Sequence, residues 1–157
     1  KEHYNKLLYN SSIFLFFIVV LQIIYGAFVA GLDAGKIYNT WPKMHEQWIA
    51  ESVYAMTPVW SNFINGLAGV QFIHRWLAYI VLAIVIFMFF KSRNFNLSKI
   101  EVNAINIVSI VVFLQVVLGV ITLIYGVPIW LGVIHQLGAF LLLASTVFCL
   151  FIFKKTT

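Results

Sequence analysis

Two histidines stand out as the residues able to do chemistry. His74 in "VQFIHRW" (70–76) and His135 in "LGVIHQ" (131–136) each follow an isoleucine near the start of a long apolar run. An imidazole can ligate a metal, move a proton or form part of a hydrogen-bonded core, and in an apolar run it demands a partner. Two imidazoles alone make a poor zinc site, because zinc wants three or four ligands and no Cys, Asp or Glu lies at their depth. Two axial ligands are what a haem iron requires, since the porphyrin fills its other four positions. Whether these two can act together depends on the elements that carry them.

The chain has 157 residues, of which 62% are hydrophobic and 10% charged, with a mean hydropathy of +0.97. That is far beyond the apolar share of a soluble domain and implies an integral membrane protein. Between Lys6 and Asp33 lie 26 uncharged residues, and between Glu101 and Lys154 lie 52, counting His as neutral. The second stretch exceeds one bilayer core of ~30 Å at 1.5 Å per residue, so it must turn back on itself. Its "YGVP" (125–128) supplies the break: Gly126 permits a turn and Pro128 suits the first turn of a new helix. Four spans result, at about 13–32, 70–90, 102–125 and 129–153. Ser11 or Ser12 would cap the first, and Asn10-Ser11-Ser12, which matches a glycosylation pattern, reads better as that cap.

Charge sets the expected orientation. Lys1, Lys6, Lys91, Arg93, Lys99, Lys154 and Lys155 fall on one side, and Lys36, Lys43 and Arg75 on the other, which puts both termini on the cytoplasmic or matrix side. The net charge of +5 forms no basic stripe, so a nucleic-acid partner is not expected. Residues 33–69 then make an outer loop rich in Trp41, Trp48, Trp60, Tyr38 and Tyr54, within which "EQWIAESVYAM" (46–56) would lie as a short interfacial helix. The amino-terminal apolar run is too long for a signal peptide and reads as a retained span. Cys149, the only cysteine, excludes an internal disulfide and reads as a small apolar side chain. His3 and His45 sit in polar segments and receive no role.

A weak duplication relates the two halves. "LQIIYG" (21–26) and "LQVVLG" (114–119) share Leu, Gln and Gly at the same spacing, and each partner span opens with an Ile-His pair. The expected fold is an all-α membrane four-helix bundle, one domain over 1–157, built from two repeated helical hairpins about a pseudo-two-fold axis along the membrane normal. His74 and His135 would lie roughly 6 and 9 Å below the outer ends of their spans. Diagonal helices roughly 11–14 Å apart let two imidazoles reach a metal at the midpoint, which favours bis-histidine haem ligation. Gly26 and Gly119, at a similar depth, would either let the macrocycle approach the backbone or serve ordinary helix packing. Gln22 and Gln115 lie deeper and suit interhelical hydrogen bonds. Arg75 either meets a haem propionate or extends to the headgroups, and the first reading is preferred.

These residues also resemble a known family. "GAFVAGLDAGKIYNTWPKM" (26–44), followed by "VQFIHR" and "LGVIHQ", resembles the carboxy-terminal half of haem A synthase over nearly the whole chain. The resemblance implies an eight-span enzyme of two similar halves. In it the amino-terminal half oxidises a ring methyl group of haem O to the formyl group of haem A, and the carboxy-terminal half holds a haem b. Here that haem b would be ligated by His74 and His135, with Arg75, Gly26, Gly119, Gln22 and Gln115 around it. Implied partners are the amino-terminal catalytic half, haem O, haem O synthase, an electron donor and the lipid bilayer of a bacterial plasma membrane or mitochondrial inner membrane.

The departures matter as well. In the family's catalytic half a glutamate precedes the first ligand histidine by one helical turn, and here that position is Gln71. No catalytic residue is therefore expected in this half, and methyl oxidation by it alone is not expected. The outer-loop cysteine pair of one branch is absent, which places the sequence nearer the mitochondrial and proteobacterial branch. The chain reads as a fragment or one domain. Two other readings stay open: a stand-alone bis-histidine cytochrome b-like electron-transfer protein, and a non-haem scaffold or small transporter.

Overall fold

A computed structural model describes residues 5–154; Lys1, His3 and Lys155 lie outside the described residues. Four helices dominate: α1 (Lys6–Gly31), α2 (Leu67–Ser92), α3 (Lys99–Ile124) and α4 (Ile129–Phe153). Each has 25 or 26 residues and is apolar enough to cross a bilayer. At 1.5 Å per residue each is roughly 38 Å long, beyond a hydrocarbon core of ~30 Å, so the ends reach the headgroups. The chain is an integral membrane protein.

The helices pack in a ring, α1 on α2, α2 on α3, α3 on α4 and α4 on α1, which leaves α2 and α4 at opposite corners. The α3 to α4 connection is short because Gly126 (φ 74°) and Val127 (φ 57°) both take left-handed conformations. Gly126 does so freely; a β-branched residue does not, and Val127 is held by its N–H bond to the Thr122 carbonyl (2.9 Å). Pro128 sits one residue before α4, as its cap, rather than inside the first turn.

Helix starts differ from the sequence expectation at α1. The cap is Asn5, whose Oδ1 accepts the Leu8 N–H at 3.0 Å. Ser11 and Ser12 lie inside the helix, and Ser12 Oγ donates to the Leu8 carbonyl at 2.8 Å. Its hydroxyl thus satisfies itself on its own helix, as buried Ser does where no water is present. At α3, Ser98 and Glu101 close a reciprocal capping box.

The outer segment contains no interfacial α-helix. Where one was expected, only a 3-10 turn at Glu51–Tyr54 forms, followed by another at Val59–Phe63. The cause is Asn62, fully buried, whose side chain accepts the Met56 N–H (2.9 Å) and donates to the Met56 (3.1 Å) and Val59 (2.8 Å) carbonyls. It folds the segment back so that Met44, Ala50 and Val53 pack with Ala68 in a small apolar cluster. Trp48 and Trp60 remain exposed.

Apolar packing is unevenly distributed along the bundle. The main cluster joins Leu8, Leu15 and Val19 of α1, Val81, Val85 and Met88 of α2, Ala104 to Val112 of α3, and Leu142, Cys149 and Phe153 of α4. Most of these lie in the half remote from the outer segment, with Val19, Val81, Val112 and Leu142 near the middle of their helices. The other half is hollow.

Candidate functional site: a histidine-lined cavity

The hollow half encloses a cavity of about 520 Å³ between all four helices, with both His74 and His135 in its wall. That is the size range of a small-molecule or cofactor pocket. α2 and α4 deliver the two imidazoles from opposite corners of the ring. The surrounding residues are mostly apolar, including Val19, Ile23, Val116 and Leu143, and no Asp or Glu lines it.

A glycine on the neighbouring helix makes room for each imidazole. A Cβ at Gly26 would stand 3.2 Å from His74 Cε1, and one at Gly119 only 2.9 Å from His135 Cε1. Both glycines line the cavity, and the nearest group that each clears is the histidine ring. In each of the helix pairs α1 with α2 and α3 with α4, then, one helix carries the imidazole and the other is cut back to receive it.

The glutamines treat the two rings differently. Gln22 places its Nε2 within 3.4 Å of His74 Nε2. Gln115 Nε2 instead donates to the main-chain carbonyl of His135 at 2.8 Å. It crosses to α4 because Gly138 leaves space: a Cβ there would collide with Gln115 Oε1. Sequence reasoning passed over Gly138, since nothing in the sequence links it to a residue 23 positions away.

Four polar atoms at the site are buried without a hydrogen-bond partner: His74 Nδ1, His135 Nδ1, Gln22 Oε1 and Arg75 Nε. An orphaned buried polar group costs roughly 1–3 kcal/mol. Four around one cavity mark a site built for a polar or metal-bearing occupant. The donor set narrows it further. Among the described residues no three His, Cys, Asp or Glu side chains come together, so a protein-only tetrahedral zinc site is not formed. Two imidazoles in the wall of one mostly apolar cavity fit the ligand demand of a haem iron.

Arg75 is only 8% exposed, so it does not extend to the headgroups. Its Nη1 donates to the Thr40 (2.8 Å) and Lys43 (3.2 Å) carbonyls, and its Nη2 to the Tyr38 carbonyl (2.7 Å) and Gln71 Oε1 (3.3 Å). Only Nε is left for a carboxylate. Gln71 in turn donates to the Tyr38 carbonyl at 3.1 Å, a bond that an ionised glutamate could not make. His45 lies outside the cavity, its ring edge-on to Tyr38 at 4.8 Å.

A membrane four-helix bundle with paired imidazoles in an apolar cavity defines a class, and the comparisons with known proteins give it a family. The model of the family described as cytochrome oxidase assembly protein matches residues 1–147. The chain belongs to that family. It is 50% identical over 140 residues to the heme A synthase of Flavobacterium psychrophilum, covering 88% of this chain and 41% of that protein. With the heme A synthase of Flavobacterium johnsoniae it shares 44% identity over 154 residues, covering 96% and 45%. For that of Wolbachia pipientis wMel the figures are 39% over 140 residues, covering 89% and 38%. The chain thus spans less than half the length of these curated relatives. No solved structure matches it.

Proposed function

We propose that this chain is the haem b-binding carboxy-terminal half of a haem A synthase. The observation that carries this reading is the pair of imidazoles, each with an orphaned Nδ1, in the wall of one carboxylate-free cavity of about 520 Å³. His74 and His135 would hold the iron, and a bis-imidazole haem would supply one-electron transfer. The chain's own residues do the rest. Gly26 and Gly119 admit the rings, Gln115 fixes the backbone of His135, and the apolar walls keep water from the site. Arg75 Nε is the one free donor of that guanidinium for a propionate.

Methyl oxidation of haem O to haem A belongs, on this reading, to an amino-terminal half, because Gln71 occupies the position of the catalytic glutamate and is committed to the outer segment. Haem O synthase and an electron donor are the expected partners of the full enzyme. Lys6, Lys91, Arg93, Lys99 and Lys154 gather at the packed end of the bundle, which supports a cytoplasmic or matrix side for that end.

The test is the spectrum of the purified chain. Reduced-minus-oxidised difference bands of a low-spin b-type haem are expected, and a folded but colourless protein after haem supplementation would refute the reading. A stand-alone electron-transfer cytochrome would give the same bands. The two are separated by co-expression with the amino-terminal half of a relative, where restored haem A formation supports the synthase.

A further inference from the structure

We propose that Gln71, Arg75 and Tyr79 are positioning residues that lock residues 38–43 across the outer mouth of the cavity and thereby retain its occupant. The retention step rests on the haem reading above; the lock itself does not. The three residues follow one another at intervals of four along α2, so they form a single row on one helix face. That row makes five hydrogen bonds to consecutive stretches of the outer segment's backbone. Gln71 and Arg75 hold the Tyr38 carbonyl, Arg75 also holds those of Thr40 and Lys43, and Tyr79 Oη donates to that of Pro42 at 3.2 Å.

Other helices hold the same segment. Asn39 Nδ2 donates to the Leu123 carbonyl at the end of α3 at 2.9 Å, and the segment runs on directly from α1. It is therefore tied down around the cavity, and its own Trp41 joins the cavity wall together with Gln71, Arg75 and Tyr79. All acceptors in the segment are main-chain carbonyls, so the row fixes a backbone path. Arg75 is suited to this by its planar fork of donors, which a lysine ammonium cannot reproduce. Gln71 is suited by having a donor for Tyr38 and an acceptor for Arg75 on one side chain.

The test uses the full chain in detergent micelles, with and without haem. Trypsin cleavage after Lys43 is measured by mass spectrometry against cleavage after Arg93 at the far end of the bundle. R75L and Q71L should speed cleavage at Lys43 at least tenfold over the wild type, with R75K intermediate and Y79F raising it a few-fold. Haem transfer to apomyoglobin should accelerate in the same order. Unchanged relative cleavage at Lys43 in both Q71L and Y79F would overturn the lock. Faster cleavage with unchanged haem transfer would overturn retention. A wild-type chain that takes up no haem would sink the cofactor reading and the retention step, while the proteolysis would still decide the lock.

Discussion

Replacing Gly119 by alanine tests the glycine and histidine pairing most sharply, because opposing effects of known size meet there. Alanine in a helix interior is favoured over glycine by roughly 0.5–1 kcal/mol, so on backbone grounds alone G119A and G26A should both stabilise the fold. Against that stands the added methyl. At Gly119 it would sit 2.9 Å from His135 Cε1, where carbon atoms prefer about 3.5–4.0 Å. The ring must shift by at least roughly 0.6 Å, and overpacking of this kind costs about 1–3 kcal/mol. The clash therefore wins at Gly119. At Gly26 the separation is 3.2 Å, the shift is roughly half as large, and the two effects nearly cancel. With the helix gain set against the clash, the expected outcome is a loss of up to about 70-fold in haem affinity for G119A, with a growing high-spin fraction, and a change of only a few-fold for G26A. Haem titration of the purified variants, followed by absorbance and electron paramagnetic resonance, reads both. Affinity and spin state in G119A equal to the wild type, or a larger loss in G26A, would refute the reasoning.

Other outcomes follow from the same geometry. H74A and H135A should each abolish the low-spin bis-imidazole spectrum, whereas H45A, whose ring lies outside the cavity against Tyr38, should leave it intact; an equal loss in H45A would mean that the ligands are misassigned. Q115L and G138A should each lower thermal stability by roughly 1 kcal/mol, and the double variant should cost no more than the worse single one, because both break the same bond to the His135 carbonyl. Additive losses would show that Gly138 serves something else. S98A removes the capping box of α3 and should cost about 1 kcal/mol in a thermal melt without altering any haem band.

The spans were legible because bilayer thickness writes itself into the sequence as uninterrupted apolar length. Their ends were less so. α1 starts at Lys6, ahead of the expected start, because a helix continues past the hydrocarbon into the headgroups, where Asn10, Ser11 and Ser12 no longer signal a boundary. The outer segment misled for a different reason. The aromatic residues, Trp48 and Tyr54 among them, suggested a membrane-lying helix over 46–56, but Asn62, six residues beyond Met56, captures the backbone around Met56 instead. At the cavity, the histidines and glycines could be singled out from their spacing. What each glycine touches could not, since that depends on which faces the helices turn to one another. Arg75 shows the limit plainly: its partners in the outer segment are carbonyl oxygens, which every residue possesses and which leave no trace in the choice of side chains. The row of Gln71, Arg75 and Tyr79 at intervals of four was the one signal available.

The division of the bundle into a solid inner half and a hollow outer half makes robustness and ligand affinity separately adjustable. Truncating Leu15, Val85 or Val108, all nearly inaccessible and remote from the histidines, should lower the melting point while leaving cofactor uptake almost untouched. A change at Gly119, against the His135 ring in the cavity wall, acts first on what the site holds. A protein engineer could therefore strengthen this scaffold from one end and reshape what it holds from the other.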